Sequence, residues 1–339
     1  MTIRRRAILV AAAAGMAALP SAPGSWVLPG DGSGDAWLLR LGASTGLRTY
    51  ALGLVTLGSG VVRTAHWRCG PETLFEVGSV SKALTGLVIA DAAERGDLAL
   101  DDPLGRHLEL GASVAAGVTV VQAATHASGL PRGVTRRRSG SWQSPYERVG
   151  VETLCADARE VATLGPATFS YSNLGASLAG WATARSIGAT YARLMRTRLF
   201  EPLGMGNSGA QTAGPLAPRG HSRDGRRVPQ LVADGYAPMG GLVSTTADLG
   251  RLLSALVDGR SPGQSALRPR VPSGAGHEGL LWDVQPYSGG TVASHPGGTP
   301  GYAAYLAVDP GRGRGVAVLA DQAGAGVEHL GKTILEALP

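Results

Sequence analysis

The chain has 339 residues, 44% of them hydrophobic, enough to bury one large core or two cooperating lobes, which excludes a disordered chain. Its 51 glycines follow no three-residue period and are scattered among apolar runs, which excludes a collagen-like fibre. The formal charge is +6, and without Arg4, Arg5 and Arg6 it is +3, too sparse for the dense basic face that nucleic acid requires.

In chain order, those three arginines precede an apolar run from Ala7 to Leu19 and then Pro20-Ser21-Ala22-Pro23-Gly24. A charged start, a short apolar middle and small residues at a cut site make a signal peptide, here residues 1–22, ahead of a catalytic domain from 23 to 339. The run is shorter than the roughly 20 residues a bilayer span needs, so the expectation is export with cleavage, to the medium or the periplasm and cell envelope, with no stable membrane span. Arg5-Arg6 before Ala7-Ile8-Leu9 also fits a twin-arginine address, which carries proteins out after folding.

Ala22 to Asp35 is a Gly-, Pro- and Ser-rich arm. Apolar runs at Ala36 to Leu41, Leu47 to Leu57 and Val61 to Trp67, broken by glycine-rich turns, predict antiparallel strands. A helix is predicted from Ser79 to about Arg95, with Gly96 as its stop. From Leu98 to about Gly235 the chain turns helical, near Val151 to Leu164, Leu174 to Ser186 and Ala189 to Leu199. Strands return at Thr291 to Ser294, Tyr302 to Val308 and Gly315 to Asp321, and an amphipathic helix from Gly326 to Leu338 closes the chain. The pattern predicts an α+β fold: an antiparallel sheet built from both ends of the chain and flanked by helices, with a helical lobe inserted in the middle. The cleft between the lobes is the expected site.

Two cysteines, Cys69 and Cys155, in an exported chain permit a disulfide, and two free thiols are an equal reading. The seven histidines show no metal-ligand spacing, so neither a metal nor another cofactor is expected.

Ser79-Val80-Ser81-Lys82 puts a serine at a helix start and a lysine one turn later on the same face. A serine hydroxyl needs a neighbour to take its proton, and a lysine can do so once burial lowers its pKa. The spacing alone is weak, because serine is also a common helix cap. Composition sharpens it: of 31 basic residues only Lys82 and Lys332 are lysine, and arginine cannot be deprotonated in a protein. Tyr171-Ser172-Asn173 supplies a phenol that a nearby ammonium can push toward phenolate, and an amide able to hold both lysine and a substrate carbonyl. The same three residues also read as a cap for the following helix. Asn173 and Asn207 are the only asparagines in the chain. His295-Pro296-Gly297-Gly298 follows a predicted strand, where the glycines allow close approach of substrate backbone and a free N–H can hold an oxyanion.

These three elements, in this order, resemble the class C β-lactamase and D-Ala-D-Ala carboxypeptidase family, the penicillin-recognising serine hydrolases that also include esterases. Phe75-Glu76-Val77-Gly78, Thr125-His126-Ala127-Ser128-Gly129-Leu130-Pro131 and Gly240-Gly241-Leu242-Val243-Ser244 match the same family's habits, and the resemblance runs from about Leu47 to Leu338. It implies a β-lactamase/transpeptidase-like fold and a Ser79 acyl-enzyme, with Lys82 and Tyr171 managing the proton. It further implies that Asn173 orients substrate and lysine, that the N–H groups of Ser79 and Gly298 form the oxyanion hole beside Gly297, and that His295 stands where many members have lysine. The implied substrate is a β-lactam, a peptidoglycan-type D-Ala peptide or another small amide or ester.

The family's threonine or serine after that lysine or histidine is here Pro296, which offers neither hydroxyl nor N–H. That gives weight to a carboxylesterase on the same fold. A slowly deacylating penicillin-binding receptor and an acyl transferase are further readings. Gly42-Ala43-Ser44-Thr45-Gly46 fits the Gly-x-Ser-x-Gly elbow of another hydrolase class, but a strand-like run follows it where the elbow requires a helix. Arg132, Arg136, Arg137 and Arg138 form a basic stretch in the inserted lobe, read either as a solvated loop or as a contact for an anionic substrate or polymer.

Overall fold

The computed structural model describes residues 52–133, 146, 149–210, 216, 218–287 and 290–338. The leader, the arm, the run from Ala36, the Gly42 to Gly46 stretch and Arg136 to Arg138 lie outside them.

Leu52–Gly58 (β1) and Val61–Trp67 (β2) form a hairpin, and Phe75–Glu76 (β3) leads into Val80–Glu94 (α1). The middle of the chain supplies Val120–Ala124 (α2), Val151–Arg159 (α3), Asn173–Ser186 (α4), Tyr191–Met195 (α5), Gly209–Ala210 (β4), Ala237–Gly240 (α6), Leu242–Ser244 (β5) and Thr246–Val257 (α7). The last third gives Val271–Ser273 (β6), Gly276–Glu278 (β7), Asp283–Tyr287 (β8), Gly290–Gly298 (β9), Ala303–Asp309 (β10), Arg314–Ala320 (β11) and Val327–Ala337 (α8).

Eight strands make one antiparallel sheet in the order β2-β1-β11-β10-β9-β8-β7-β6, and β3-β5-β4 make a second, small one. The first strand of the large sheet pairs with the last, Leu52 opposite Ala320, so the sheet is built from both ends of the chain as its apolar runs predict. Strands β10 and β11 are buried along their whole length, because helices cover both faces. On β10, Ala304, Leu306 and Val308 face the main core, which also takes Leu249, Leu252, Leu253 and Leu256 of α7. Ala303, Tyr305 and Ala307 face the other way, into a second core closed by Val327, Leu330, Ile334 and Leu335 of α8. The period of two on the strands and the i, i+3, i+4, i+7 spacing on the helices produce these two layers.

Helix α1 is buried on every side from Val80 to Ala92. Gly96 at φ +77 stops it, and its N–H returns to the Ala93 carbonyl. The Trp282 indole N–H donates to the Ala83 carbonyl, and Thr85 links the helix to the Pro238 carbonyl and the Tyr191 hydroxyl.

Several boundaries differ from the sequence expectation. The helix from Val151 ends at Arg159 rather than Leu164, and the one expected over Ala189 to Leu199 is α5 followed by one π-helical turn, Arg196–Phe200. The His295 to Gly298 motif lies within β9, not after it. Pro296 is tolerated there because β8 has already ended: the β8–β9 register stops at Asp283 opposite Ser294. Cys69 and Cys155 are both free, and the Cys69 thiol donates to the Leu52 carbonyl. Among the described residues no helix is long and apolar enough to cross a membrane.

Candidate active site

Four segments distant in sequence meet at the start of α1. Ser79 occupies the N-cap position but its hydroxyl makes no capping bond. It sits 3.2 Å from Lys82 Nζ and 3.0 Å from the Tyr171 hydroxyl. The cap explanation for this serine therefore fails, whereas for Tyr171-Ser172-Asn173 both explanations hold at once. Ser172 caps α4, its Oγ accepting from the Gly175 N–H and donating to the Pro131 carbonyl. That fixed cap turns the preceding Tyr171 toward Ser79.

Lys82 is fully buried, and its ammonium form is disfavoured first by desolvation and then by the charge of Arg132, so its pKa lies well below the ordinary lysine range. Its amine donates to the Met239 carbonyl at 2.6 Å. A carbonyl can only accept, so the lone pair of the neutral amine is left for the Ser79 proton. Tyr171 departs from expectation: burial outweighs the Ser79 hydrogen bond and the Arg132 charge, and pushes the phenol up to about 12. The phenol is an acid here, not a phenolate. Asn173 departs too. The lysine's partners are Ser79 and Met239, while the buried Asn173 Oδ1 has no hydrogen-bond partner and its backbone N–H donates to the Arg132 carbonyl.

The oxyanion side is built from backbone. Gly78 stands at φ +51, a conformation suited to glycine, immediately before the nucleophile. A Cβ added to Gly297 would meet the Val77 carbonyl oxygen at 2.1 Å, so β9 runs hard against the loop that carries Ser79. The Thr299 N–H donates to the Tyr302 carbonyl, and Gly298 pairs with Ala303. By the alternation of antiparallel pairs, the Gly298 N–H therefore points away from β10, toward the Ser79 loop. His295 is buried, its Nδ1 2.7 Å from the Pro296 carbonyl oxygen and its ring centroid 6.2 Å from that of Tyr171. Burial and the neighbouring Lys82 lower it to about 3, so it is a neutral imidazole at the place where many members of the family have lysine.

Two further groups belong to this cluster. Glu278 on β7 is buried, and desolvation with Asp283 raises its carboxyl to about 8 against the pull of Lys82. His126 is buried in the left-handed region, φ +55, which is uncommon outside glycine. Its Nδ1 accepts the Ser172 N–H, so the neutral ring carries its proton on Nε2, which has no hydrogen bond and lies 4.0 Å from Glu278 Oε1. The His126 ring also packs on Tyr171, centroids 4.6 Å apart. His126 stood in a recognised motif without a role. Glu278 carried no sequence signal, being one acid in a three-residue strand.

The family profile described as Beta-lactamase matches residues 36–338. The beta-lactamase of Escherichia coli K12 is 27% identical over 64% of this chain and 60% of its own length. Esterase EstB of Burkholderia gladioli is 28% identical over 48% of this chain and 45% of its own. The matches cover 52% and 60% of the length of two curated relatives, 45% of the esterase and 71% of a D-alanyl-D-alanine-carboxypeptidase/endopeptidase of Escherichia coli K12. A class C beta-lactamase structure from Rhodobacter sphaeroides superposes with a TM-score of 0.76 at 21% identity, covering 88% of this chain and 97% of that one, which establishes the β-lactamase/transpeptidase-like fold.

Proposed function

Because the chain belongs to the Beta-lactamase family of serine hydrolases, we propose that it cleaves an ester or a reactive amide through a covalent ester on Ser79, with Lys82 as base and Tyr171 as acid. The observation that carries this is the Ser79 hydroxyl held 3.2 Å from a buried lysine, whose pKa burial depresses, and 3.0 Å from a tyrosine, whose pKa burial raises.

In acylation the Ser79 proton moves to Lys82 Nζ as Oγ bonds to the substrate carbonyl carbon. The N–H groups of Ser79 and Gly298 hold the oxyanion, a contact worth about 3–4 kcal/mol of barrier when one donor is lost. Collapse breaks the bond to the leaving group, which takes the Tyr171 proton, and Lys82 passes its proton back to the phenolate. In deacylation water gives one proton to the Tyr171–Lys82 pair, its oxygen joins the acyl carbon, and Ser79 Oγ leaves with a proton. The balance is one water consumed, with an acid and an alcohol or amine released.

A specific observation favours esters over penicillins and D-alanine peptides as the substrate. Neutral His295 followed by Pro296 provides neither the charge nor the hydroxyl that would hold a carboxylate on β9. The signal-type leader supports an exported enzyme, which the N-terminal sequence of the secreted mature protein would test.

The test is the intact mass of the mature protein with a penicillin and, separately, with simple aryl esters, beside Ser79→Ala. Ester turnover by wild type alone, without a lasting penicillin adduct or drug loss, is the expected result. Drug loss without an adduct would make it a β-lactamase, a lasting adduct a penicillin receptor or carboxypeptidase. No acylation of Ser79 by any reagent would overturn the proposal.

A further inference from the structure

The basic side chains around Ser79 do not supply a cation where the third motif would place one. Lys82 is sealed in and committed to the Met239 carbonyl, and His295 is sealed in on β9. Thr299, just past the end of that strand, accepts the turn N–H groups of Gly301 and Tyr302. Arg132 is different. It is exposed, and its Cζ lies 4.9 Å from the ring centroid of Tyr171, the residue bonded to the nucleophile. Its carbonyl takes the Asn173 N–H at 2.8 Å, which pins its backbone to the site. Among the described residues none forms a hydrogen bond or ion pair with its guanidinium. The stacked ring orients the guanidinium, and five N–H donors in a planar fork match a carboxylate. Its field also reaches the site: it is a cause of the lowered pKa of Lys82 and His126.

Resting on the acyl-enzyme reading above, we propose that Arg132 is the specificity-determining residue of this site, and that the preferred substrate is an ester bearing a carboxylate, seated against Arg132 on the Tyr171 side of the cleft instead of on β9. This joins two departures in one account. Strand β9 offers neither a lysine nor a hydroxyl after it at His295-Pro296, and the inserted lobe presents, beside the same serine, a guanidinium without a partner among the described residues.

The experiment compares kcat/KM of the full mature chain on three aryl esters: p-nitrophenyl butyrate, which is neutral; p-nitrophenyl hemisuccinate, with the carboxylate in the acyl half; and the butyrate ester of 4-hydroxybenzoate, with it in the leaving half. The readout is the ratio of each charged ester to the neutral one, in wild type, Arg132→Gln and Arg132→Lys. Wild type should prefer at least one charged ester, and the half that carries its charge assigns the subsite. Arg132→Gln should lower that ratio about 10- to 100-fold, the worth of hydrogen bonds to a charged group. Arg132→Lys should restore part of it, and the ratio should shrink with added salt. Wild type without preference, or a ratio that Arg132→Gln leaves in place, overturns the role of Arg132 while the hydrolase reading stands. Failure of all three esters, together with no labelling of Ser79 by a fluorophosphonate, brings down the hydrolase reading and this inference with it.

Discussion

A Cβ on Gly78 would come within 2.6 Å of the Gly298 amide nitrogen, so the residue before the nucleophile and the end of β9 touch backbone to backbone. On the proposed mechanism, this contact and the left-handed φ of Gly78 keep the N–H groups of Ser79 and Gly298 on one oxyanion. Gly78→Ala must push the segments apart. The expected outcome is a loss of about 100- to 1,000-fold in kcat/KM on an aryl ester, with a smaller change in thermal stability. A loss under threefold would separate this contact from catalysis.

The lysine is predicted to act by giving up its charge. Lys82→Arg keeps a cation and cannot accept a proton, so it should be as inactive as Lys82→Ala, with kcat down about 1,000-fold or more in both. In wild type the depressed amine pKa means that the rise of kcat/KM with pH is complete well before the range of an ordinary lysine. A pH–rate profile rising only near 10.5 would contradict the buried-amine account.

Glu278 and His295 shape the pH range of the fold from opposite sides. Native Glu278 keeps its proton to about 8, whereas the unfolded carboxyl loses it near 4.5. The native state therefore holds the extra proton in that window, and stability falls as pH rises through it. For His295 the unfolded ring binds its proton near 6.5 and the native ring only near 3, so stability falls as pH drops through that interval. Glu278→Gln should flatten the alkaline limb of Tm against pH and His295→Gln the acid limb. Parallel curves for variant and wild type would refute the assignment.

Ser172→Ala removes an N-cap and leaves the Pro131 carbonyl without its donor, at a cost of about 1–3 kcal/mol. Because the same cap aims Tyr171, kcat should fall as well, while Thr190→Ala, a cap of α5 outside the cluster, should lower stability alone. Denaturant titration and steady-state kinetics on the two variants decide it.

What could be read from the sequence is what depends on short spacing. The i, i+3 relation of Ser79 and Lys82, the stop at Gly96 and the apolar runs of β10 and β11 are local facts, and the folded chain keeps them. The Lys82 anchor was illegible because it is a backbone carbonyl, Met239, which any residue would supply. Glu278 was illegible because its meaning lies in Lys82 and His126, brought to it only by tertiary packing. Strands β6 and β8 carry Pro272 and Pro286, which argue against a strand, yet both lie in the part of the sheet that ends at β6. The phenolate expectation for Tyr171 failed on burial, a quantity that composition does not carry.

The pairing of Leu52 with Ala320 sets a time as well as a place. Ser79, Lys82 and Tyr171 leave the ribosome well before Gly298, and the sheet that carries Gly298 cannot accept β1 until β11 exists. On the proposed mechanism, a growing chain holds Ser79, Lys82 and Tyr171 while Gly298, the second oxyanion donor, is still to come. The topology would then keep the chain inactive during synthesis, until its two ends have met.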